Sequence, residues 1–410
     1  MNLLFVVQRY GADIAGGAEH LVREYALRLT ERGHHVEVLT SCAHSYTDWA
    51  DVHPPGTSTD GGVTVHRCRV VAPRPNDLFG PLHQRVTAPR GDQGRWSPVV
   101  TTSWSRMIGP DLEGMDEWLL ANCSRFDAVV FSGYLYSPSI RGLPLVAPLV
   151  PTVLQPVAHD EITLRLPILR ELFDHAAGIN FLTHEERALV DQRFRPTAVS
   201  RVFGAGVGTA PPGLDVAGER ARFGLGDSDY LVCVGRIDPA KGMHELGGHF
   251  RAFRERHDID LKLVFVGSEI HPLERHPDIV VTGFVDESTK WALISGSTIL
   301  AQPSYFESFS LSLAEGWRCA RPALVQGRND VLRGQVRRAD GGLTFTSFSE
   351  FDAGLDLLLG DPDLRTHFGI SGQNYVEQYN WGNVLDNFES LLSDTRQAWN
   401  HRRSSQRDQR

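Results

Sequence analysis

Apolar and polar positions follow two periods along this chain. Short apolar runs recur from end to end, and between them apolar residues return every third or fourth position. Residues 3–7 read as a first buried strand, 11–17 as a loop, and 18–32 as a helix. Leu21, Tyr25 and Leu29 share one face of that helix, with Val22 and Ala26 beside them. Gly33 ends it, and 35–40 form a second strand. A strand, a glycine loop, a helix and a strand open a doubly wound α/β half. Further strands are expected at 63–68, 127–132, 150–154 and 178–182, and helices at 111–123, 162–175 and 183–193, with Thr183 as the N-cap of the last.

Residues 204–218 are rich in Gly and Pro and carry no period, which marks a boundary. The alternation then restarts. Strands are expected at 230–234, 262–266, 279–282, 298–301 and 321–325, and helices from 242 to about 257 and over 287–295. Residues 349–360 and 362–378 are helical in pattern. The amphipathic stretch 381–399 places Val384, Phe388, Leu391 and Leu392 on one face. The expected fold is α/β: two doubly wound Rossmann-like domains, 1–205 and 206–380, followed by a C-terminal helix over 381–400. The polar tail 401–410, with four Arg, is expected to be disordered.

Composition changes this picture little. A chain of 410 residues suits two domains, and 41% hydrophobic with 22% charged residues is ordinary for a soluble protein. The net charge of −9 argues against a nucleic-acid partner. Five cysteines without a Cys-x-x-Cys pair, and no export-type N-terminus, suit a reducing cytoplasm. The apolar run 142–158 holds Pro144, Pro148, Pro151 and Pro156, so it is no membrane helix. Residues 66–106 hold seven Arg against Asp77 and Asp92, with Phe79, Trp96 and Trp104 interleaved. That segment reads either as a basic surface for an anionic acceptor or lipid headgroup, or as a solvated, irregular insert.

The chain centres on residues 303–325, a loop and helix between two strands. Glu307 falls in the loop and Glu315 about two turns into the helix. The alternative for Glu315 is a capping box with Ser312. Other residues expected at strand ends of the second half are Arg236, Lys241, the amides around Gly267, Phe284 and the amides of Ser308, Phe309 and Ser310. Two cations at a helix start suit a diphosphate, and carboxylates suit ribose and sugar hydroxyls, so together they describe a nucleotide-diphosphate-sugar site. In the first half, Gly16 and Gly17 read either as a close backbone approach to a ligand or as a plain turn. His159 lies just past a strand end beside Asp160; its alternative is a structural role.

Over nearly its whole length the chain resembles the retaining glycosyltransferases of the large family 4 group, which have the GT-B fold. GRIDPAKG is similar to that family's GRL-x-x-x-KG, and Glu307-x7-Glu315 to its E-x7-E motif. GGAEHLVREYALRLTERGHHVEVLT resembles its first glycine loop and helix, and VFVGSE, GFVDE and ARPALV follow in its order. The resemblance implies two domains facing a cleft, with the last helix crossing back to the first. It implies that Arg236 and Lys241 bind the donor diphosphate, Glu315 the ribose and Glu307 the donor sugar. It also places backbone near Phe284 at the base, Gly16 and Gly17 at the diphosphate, and His159 at the sugar near the reacting carbon. Ser308 and Ser310 stand where the family often has Gly.

The implied activity is a metal-independent, retaining hexosyltransferase using a nucleotide-diphosphate sugar as co-substrate, with no cofactor. The acceptor is expected to be a glycan or lipid-linked glycan of surface-polysaccharide synthesis, with peripheral contact to the inner membrane face through 66–106. The alternatives are a small natural-product aglycone as acceptor, or a sugar-nucleotide epimerase. A nicotinamide dehydrogenase is excluded by the missing Gly-x-Gly-x-x-Gly. The Asp-x-Asp spacings at Asp227/Asp229, Asp258/Asp260 and Asp361/Asp363 precede strands or start a helix, and read as turns and caps.

Overall fold

The apolar runs form strands buried on both faces, as parallel pairing under two helix layers requires. The computed structural model describes residues 1–14, 16–88 and 96–407, and in it the strands make two sheets, one in each of two units. The first unit is Met1–Gly204 with Val384–Arg410; the second is Ala205–Asn383.

The first unit runs β1 Asn2–Val6, α1 Gly17–Glu31, β2 His35–Ser41, β3 Gly56–Asp60, β4 Val63–Cys68, α2 Asn76–Thr87, α3 Pro98–Ile108, α4 Met115–Asn122 and β5 Ala128–Ser132. It continues with α5 Ser137–Val146, β6 Thr152–Gln155, α6 Ile168–His175, β7 Gly178–Phe181, α7 His184–Arg193 and β8 Val199–Val202. The strand order is β3-β4-β2-β1-β5-β6-β7-β8, parallel except for β3. β3 is a polar, exposed strand with no apolar signature. It pairs back on β4 through Gly61 and Gly62, both at positive φ as a tight hairpin demands.

Three expectations fail here for local reasons. The helix expected at 111–123 begins only at Met115, after a left-handed Gly114. The helix expected at 162–175 is two pieces, a 3-10 turn Ile162–Arg165 and α6, broken at Leu166-Pro167. The insert 66–106 is not irregular, since it contains α2 and α3.

The second unit runs α8 Val216–Arg222, β9 Asp229–Val234, α9 Met243–Arg256, β10 Leu261–Val266, β11 Ile279–Val281, α10 Glu287–Ser295, β12 Ile299–Gln302 and α11 Leu311–Arg318. Then come β13 Ala323–Gln326, α12 Asp330–Ala339, β14 Gly342–Phe345, α13 Phe348–Gly360, α14 Pro362–Val376 and the start of α15 Trp381–Arg407. The all-parallel order is β11-β10-β9-β12-β13-β14.

From Val384 onward α15 belongs to the first unit. Phe388 packs between the rings of Phe5 and Tyr25, at 6.1 and 4.7 Å. A Cβ on Gly178 of β7 would meet Thr395 Oγ1 at 2.2 Å, so glycine lets helix and strand close. The expected disordered tail is instead helical through Arg407, with no Gly or Pro to stop it; Arg402 donates to the Thr197 carbonyl at 2.9 Å. Residues 408–410 lie outside the described residues. Among the described residues no helix is long and apolar enough to cross a membrane.

Candidate functional site

In the second unit the strand order reverses between β9 and β12, the point where open parallel sheets bind ligands. The loops leaving these strands are 235–242 and 303–310. Gly242 has φ +70, and a Cβ there would meet the Pro303 carbonyl at 2.2 Å, so only glycine lets the loops touch. That approach brings Lys241 onto the second loop. Its Nζ donates to Glu307 Oε1 at 2.8 Å and to the Phe306 carbonyl at 3.3 Å. The residues expected at the diphosphate and the sugar are thus paired with each other. Their side chains are 31% and 14% exposed, so Lys241 is partly reached by solvent and Glu307 is mostly shielded.

Glu315 lies one turn into α11 rather than two. The capping box with Ser312 does not form, because Ser310 is the N-cap and its side chain makes no cap bond. Glu315 Oε1 instead accepts from Lys290 Nζ at 2.7 Å, with side chains 14% and 15% exposed. Lys290 also sits 2.9 Å from Glu287. Burial pulls the Lys290 ammonium down, but the Glu315 and Glu287 carboxylates outweigh it and hold its pKa above the usual lysine value. Sequence reading missed Lys290. Its spacing from Glu287 signals only an ordinary exposed helix pair.

Ser310 has φ +72, in the left-handed region that Cβ-bearing residues avoid. Gln302 Nε2 offsets part of that cost by donating to Ser310 Oγ at 3.1 Å and Ser312 Oγ at 2.6 Å. Ser310→Ala keeps the strain and loses the bond, whereas Ser310→Gly loses both. Ser310→Gly is therefore expected to be more stable than Ser310→Ala by about 1 kcal/mol in chemical denaturation. Equal stabilities would show that the backbone there carries no strain.

One further expectation needs correction. The Gly267 amide is not open to a ligand, because it donates to the Gly283 carbonyl at 3.0 Å. Gly267 is glycine because a Cβ would meet the Gly235 carbonyl at 2.1 Å. The Phe309 side chain is core: its ring packs on Tyr379 at 5.1 Å, and its carbonyl accepts from Gln335. Ser308 is buried beside it, whereas Phe284 is 71% exposed and Arg236 half-buried at the β9 exit. One aspartate of each Asp-x-Asp spacing is engaged in local structure. Asp229 accepts from Thr298 and Asp260 from Ser228, and Asp361 caps α14.

In the first unit Gly16 is the N-cap of α1, followed by Gly17. A Cβ on Gly16 would meet Glu19 Oε2 at 2.2 Å, so glycine there admits a side chain of this chain. Glu19 is buried and takes Gln8 Nε2 at 2.9 Å and both Nε and a terminal nitrogen of the buried Arg9, at 3.0 and 2.5 Å. His159 follows β6 as expected. Its Nδ1 is 3.8 Å from Glu161, whose carboxylate accepts from Tyr134. Glu186, on the first turn of α7, is wholly buried beneath this turn. Burial pushes its carboxyl up to about 8, against the pull of amides from Leu182, Ala158, Thr183 and Val157.

The described arginines of 66–106 have internal partners. Arg67 donates to the Tyr10 carbonyl and Arg74 to the Ile108 carbonyl, Arg69 and Arg106 face Asp51 and Asp111, and Arg85 lies over Trp96. Arg67 and Arg74 are tied into the fold by these bonds, whereas Arg69, Arg85 and Arg106 remain exposed. Arg90, Arg95 and Asp92 lie outside the described residues.

Comparison with known proteins follows this geometry. Residues 218–375 match the family described as "Glycosyl transferases group 1". A D-inositol 3-phosphate glycosyltransferase of Segniliparus rotundus is 24% identical, covering 95% of this chain and 86% of the relative. A GDP-mannose-dependent alpha-(1-6)-phosphatidylinositol monomannoside mannosyltransferase of Mycolicibacterium smegmatis is 25% identical over 56% of this chain and 65% of its own. Sucrose-phosphate synthase from Thermosynechococcus elongatus superposes with TM-score 0.67 at 16% identity, covering 98% of this chain and 99% of that one. A structure described as trehalose-6-phosphate from E. coli bound with UDP-2-fluoro glucose gives TM-score 0.69 at 14% identity, covering 97% and 99%. The fold is GT-B, with two Rossmann-like domains, and the chain is an enzyme that transfers sugars.

Proposed function

We propose that the protein is a retaining glycosyltransferase that moves a hexose from a nucleoside-diphosphate donor to an acceptor hydroxyl without a metal ion. The observation that carries this reading is the Lys241–Glu307 pair at the switch point of the second sheet. A diphosphate competes with Glu307 for the ammonium. Binding therefore frees the carboxylate for a sugar hydroxyl while Lys241, with Arg236, stabilises charge on the departing diphosphate. Glu315 takes the ribose hydroxyls and backbone beside Phe284 meets the base; by the resemblance, Gly16 and Gly17 are further contacts of the donor diphosphate and His159 of the donor sugar. Retention rests on the E-x7-E resemblance. Metal independence is supported by the engagement of Asp229, Asp260 and Asp361 in local structure and by the cations already present.

The acceptor is proposed to be a sugar-like polyol, free or lipid-linked. The relative described as acting on D-inositol 3-phosphate supports the free form, and the one described as acting on a phosphatidylinositol monomannoside supports the lipid-linked form. For a lipid-linked acceptor, Arg69, Arg85 and Arg106 are the exposed described cations of the 66–106 segment, since Arg67 and Arg74 are bonded within the fold.

Calorimetry with UDP and GDP in chelating buffer tests the donor site. One of the two is expected to bind, and Lys241→Ala is expected to weaken it about 10- to 100-fold while the melting curve stays cooperative, as loss of a charge-assisted contact requires. Unchanged affinity in the variant would remove the diphosphate assignment. Binding that appears only with an added divalent ion would remove the metal-independent one.

A further inference from the structure

The turn carrying His159 is held in an uncomfortable shape. Val157 has φ +54, a region that a β-branched residue enters only when its surroundings force it. The force is visible. Glu186 Oε1 accepts the Ala158 amide at 2.6 Å, and Oε2 accepts the Leu182 amide at 2.6 Å. The carboxyl group thus bridges the β6 exit to the β7 exit from beneath the turn. On the other side of His159, the Tyr134 hydroxyl donates to Glu161 and also meets Thr163 Oγ1 at 3.0 Å. A helix cap explains only part of this. Thr183 Oγ1 accepts from the Glu186 amide at 3.2 Å, which is half of a capping box, but no capping box needs the Ala158 amide, 28 residues earlier.

We infer that Glu186 is a positioning residue for His159: its buried carboxyl group locks the turn 157–159 and so fixes where the imidazole stands during sugar transfer. The strain at Val157 is the cost of that placement. Without the lock, the backbone is free to relax toward negative φ and carry His159 with it. A displacement on the order of 1 Å at a reacting group costs on the order of 100-fold in rate. The inference rests on the proposed role of His159 in transfer, which a separate variant tests.

Glu186→Asp is the informative substitution. One methylene shorter, it still reaches the local amides of its own helix start but not Ala158. Thr183→Ala removes the other half of the cap and leaves the turn alone. The assay is release of nucleoside diphosphate from UDP- and GDP-hexoses, with D-inositol 3-phosphate or water as acceptor, together with melting curves and amide exchange by mass spectrometry. Glu186→Asp is expected to lower kcat on the order of 100-fold, as His159→Ala does, with donor KM close to wild type. Its 157–159 amides should exchange faster. Thr183→Ala is expected to lower the melting temperature and leave kcat near wild type. If Glu186→Asp fails to fold, Glu186→Gln takes its place, since it keeps the volume and turns a donor toward an amide donor. Wild-type kcat and exchange in the Glu186 variant would overturn the proposal, as would an equal kcat loss in Thr183→Ala. A wild-type kcat in His159→Ala, or no turnover of any of these donors, would overturn the underlying reading as well.

Discussion

Glu307→Gln lowers kcat about 30- to 1,000-fold and leaves donor KM within a few-fold of wild type. Glu307 lies in the loop after β12, 2.8 Å from Lys241 and shielded from most solvent. On the proposed reading it faces the transferred sugar, where positive charge grows as the anomeric bond breaks. An interaction that strengthens only in the transition state appears in kcat, not in KM. The expected loss of about 2–4 kcal/mol is that of one charge-assisted, water-poor hydrogen bond. Gln keeps the volume, and its amide oxygen can still accept from Lys241 Nζ, so the loops stay joined through Gly242 and Pro303. The experiment isolates charge from shape. A kcat near wild type would mean that Glu307 serves only to seat Lys241, and the sugar site would have to be sought elsewhere on β12 or β13.

Much of the fold was legible because the strands are parallel and buried, so each is a plain apolar run and each helix a plain 3.6-residue period. What stayed hidden had a physical reason in each case. β3 is polar and exposed, and α5 carries Pro144 within its span. Of the candidate site, the residues on strand-end loops were legible as loop residues at those ends, because the strand pattern places them there and open parallel sheets bind ligands at such ends. Their partners were not. Lys290 meets Glu315 only because α10 packs beside α11, and Glu186 meets Ala158 only because β6 and β7 are neighbours. Thr183-x-x-Glu186 did carry a signal, the capping-box spacing, but that spacing points to a helix start and not to a turn two elements away. Phe309 misled in the opposite sense, since its place between two candidate serines said nothing of a ring aimed at Tyr379.

Glu315→Gln, by contrast, loses stability and donor affinity together, and a second substitution separates the two. Glu315 and Lys290 are 2.7 Å apart and mostly buried. Removing Glu315 leaves the mostly buried Lys290 ammonium only the exposed Glu287 carboxylate at 2.9 Å, at a cost of up to about 3 kcal/mol. For a unit the size of the second one, that is roughly 6–12 °C in melting temperature. Lys290→Met removes the same ion pair from the other side. In the double variant Glu315→Gln with Lys290→Met no charge is left stranded, so most of the stability is expected back. Donor affinity is expected to stay low in the double variant, because the ribose hydroxyls still lack their carboxylate. KM should be raised about tenfold or more with kcat much less affected, as loss of uniform binding requires. A helix-capping role for Glu315 predicts a different pattern, in which Gln melts normally and Lys290→Met has no bearing on it. Should the double variant recover donor KM along with its melting temperature, Glu315 acts only through the fold of α10 and α11, and the ribose contact belongs to another residue.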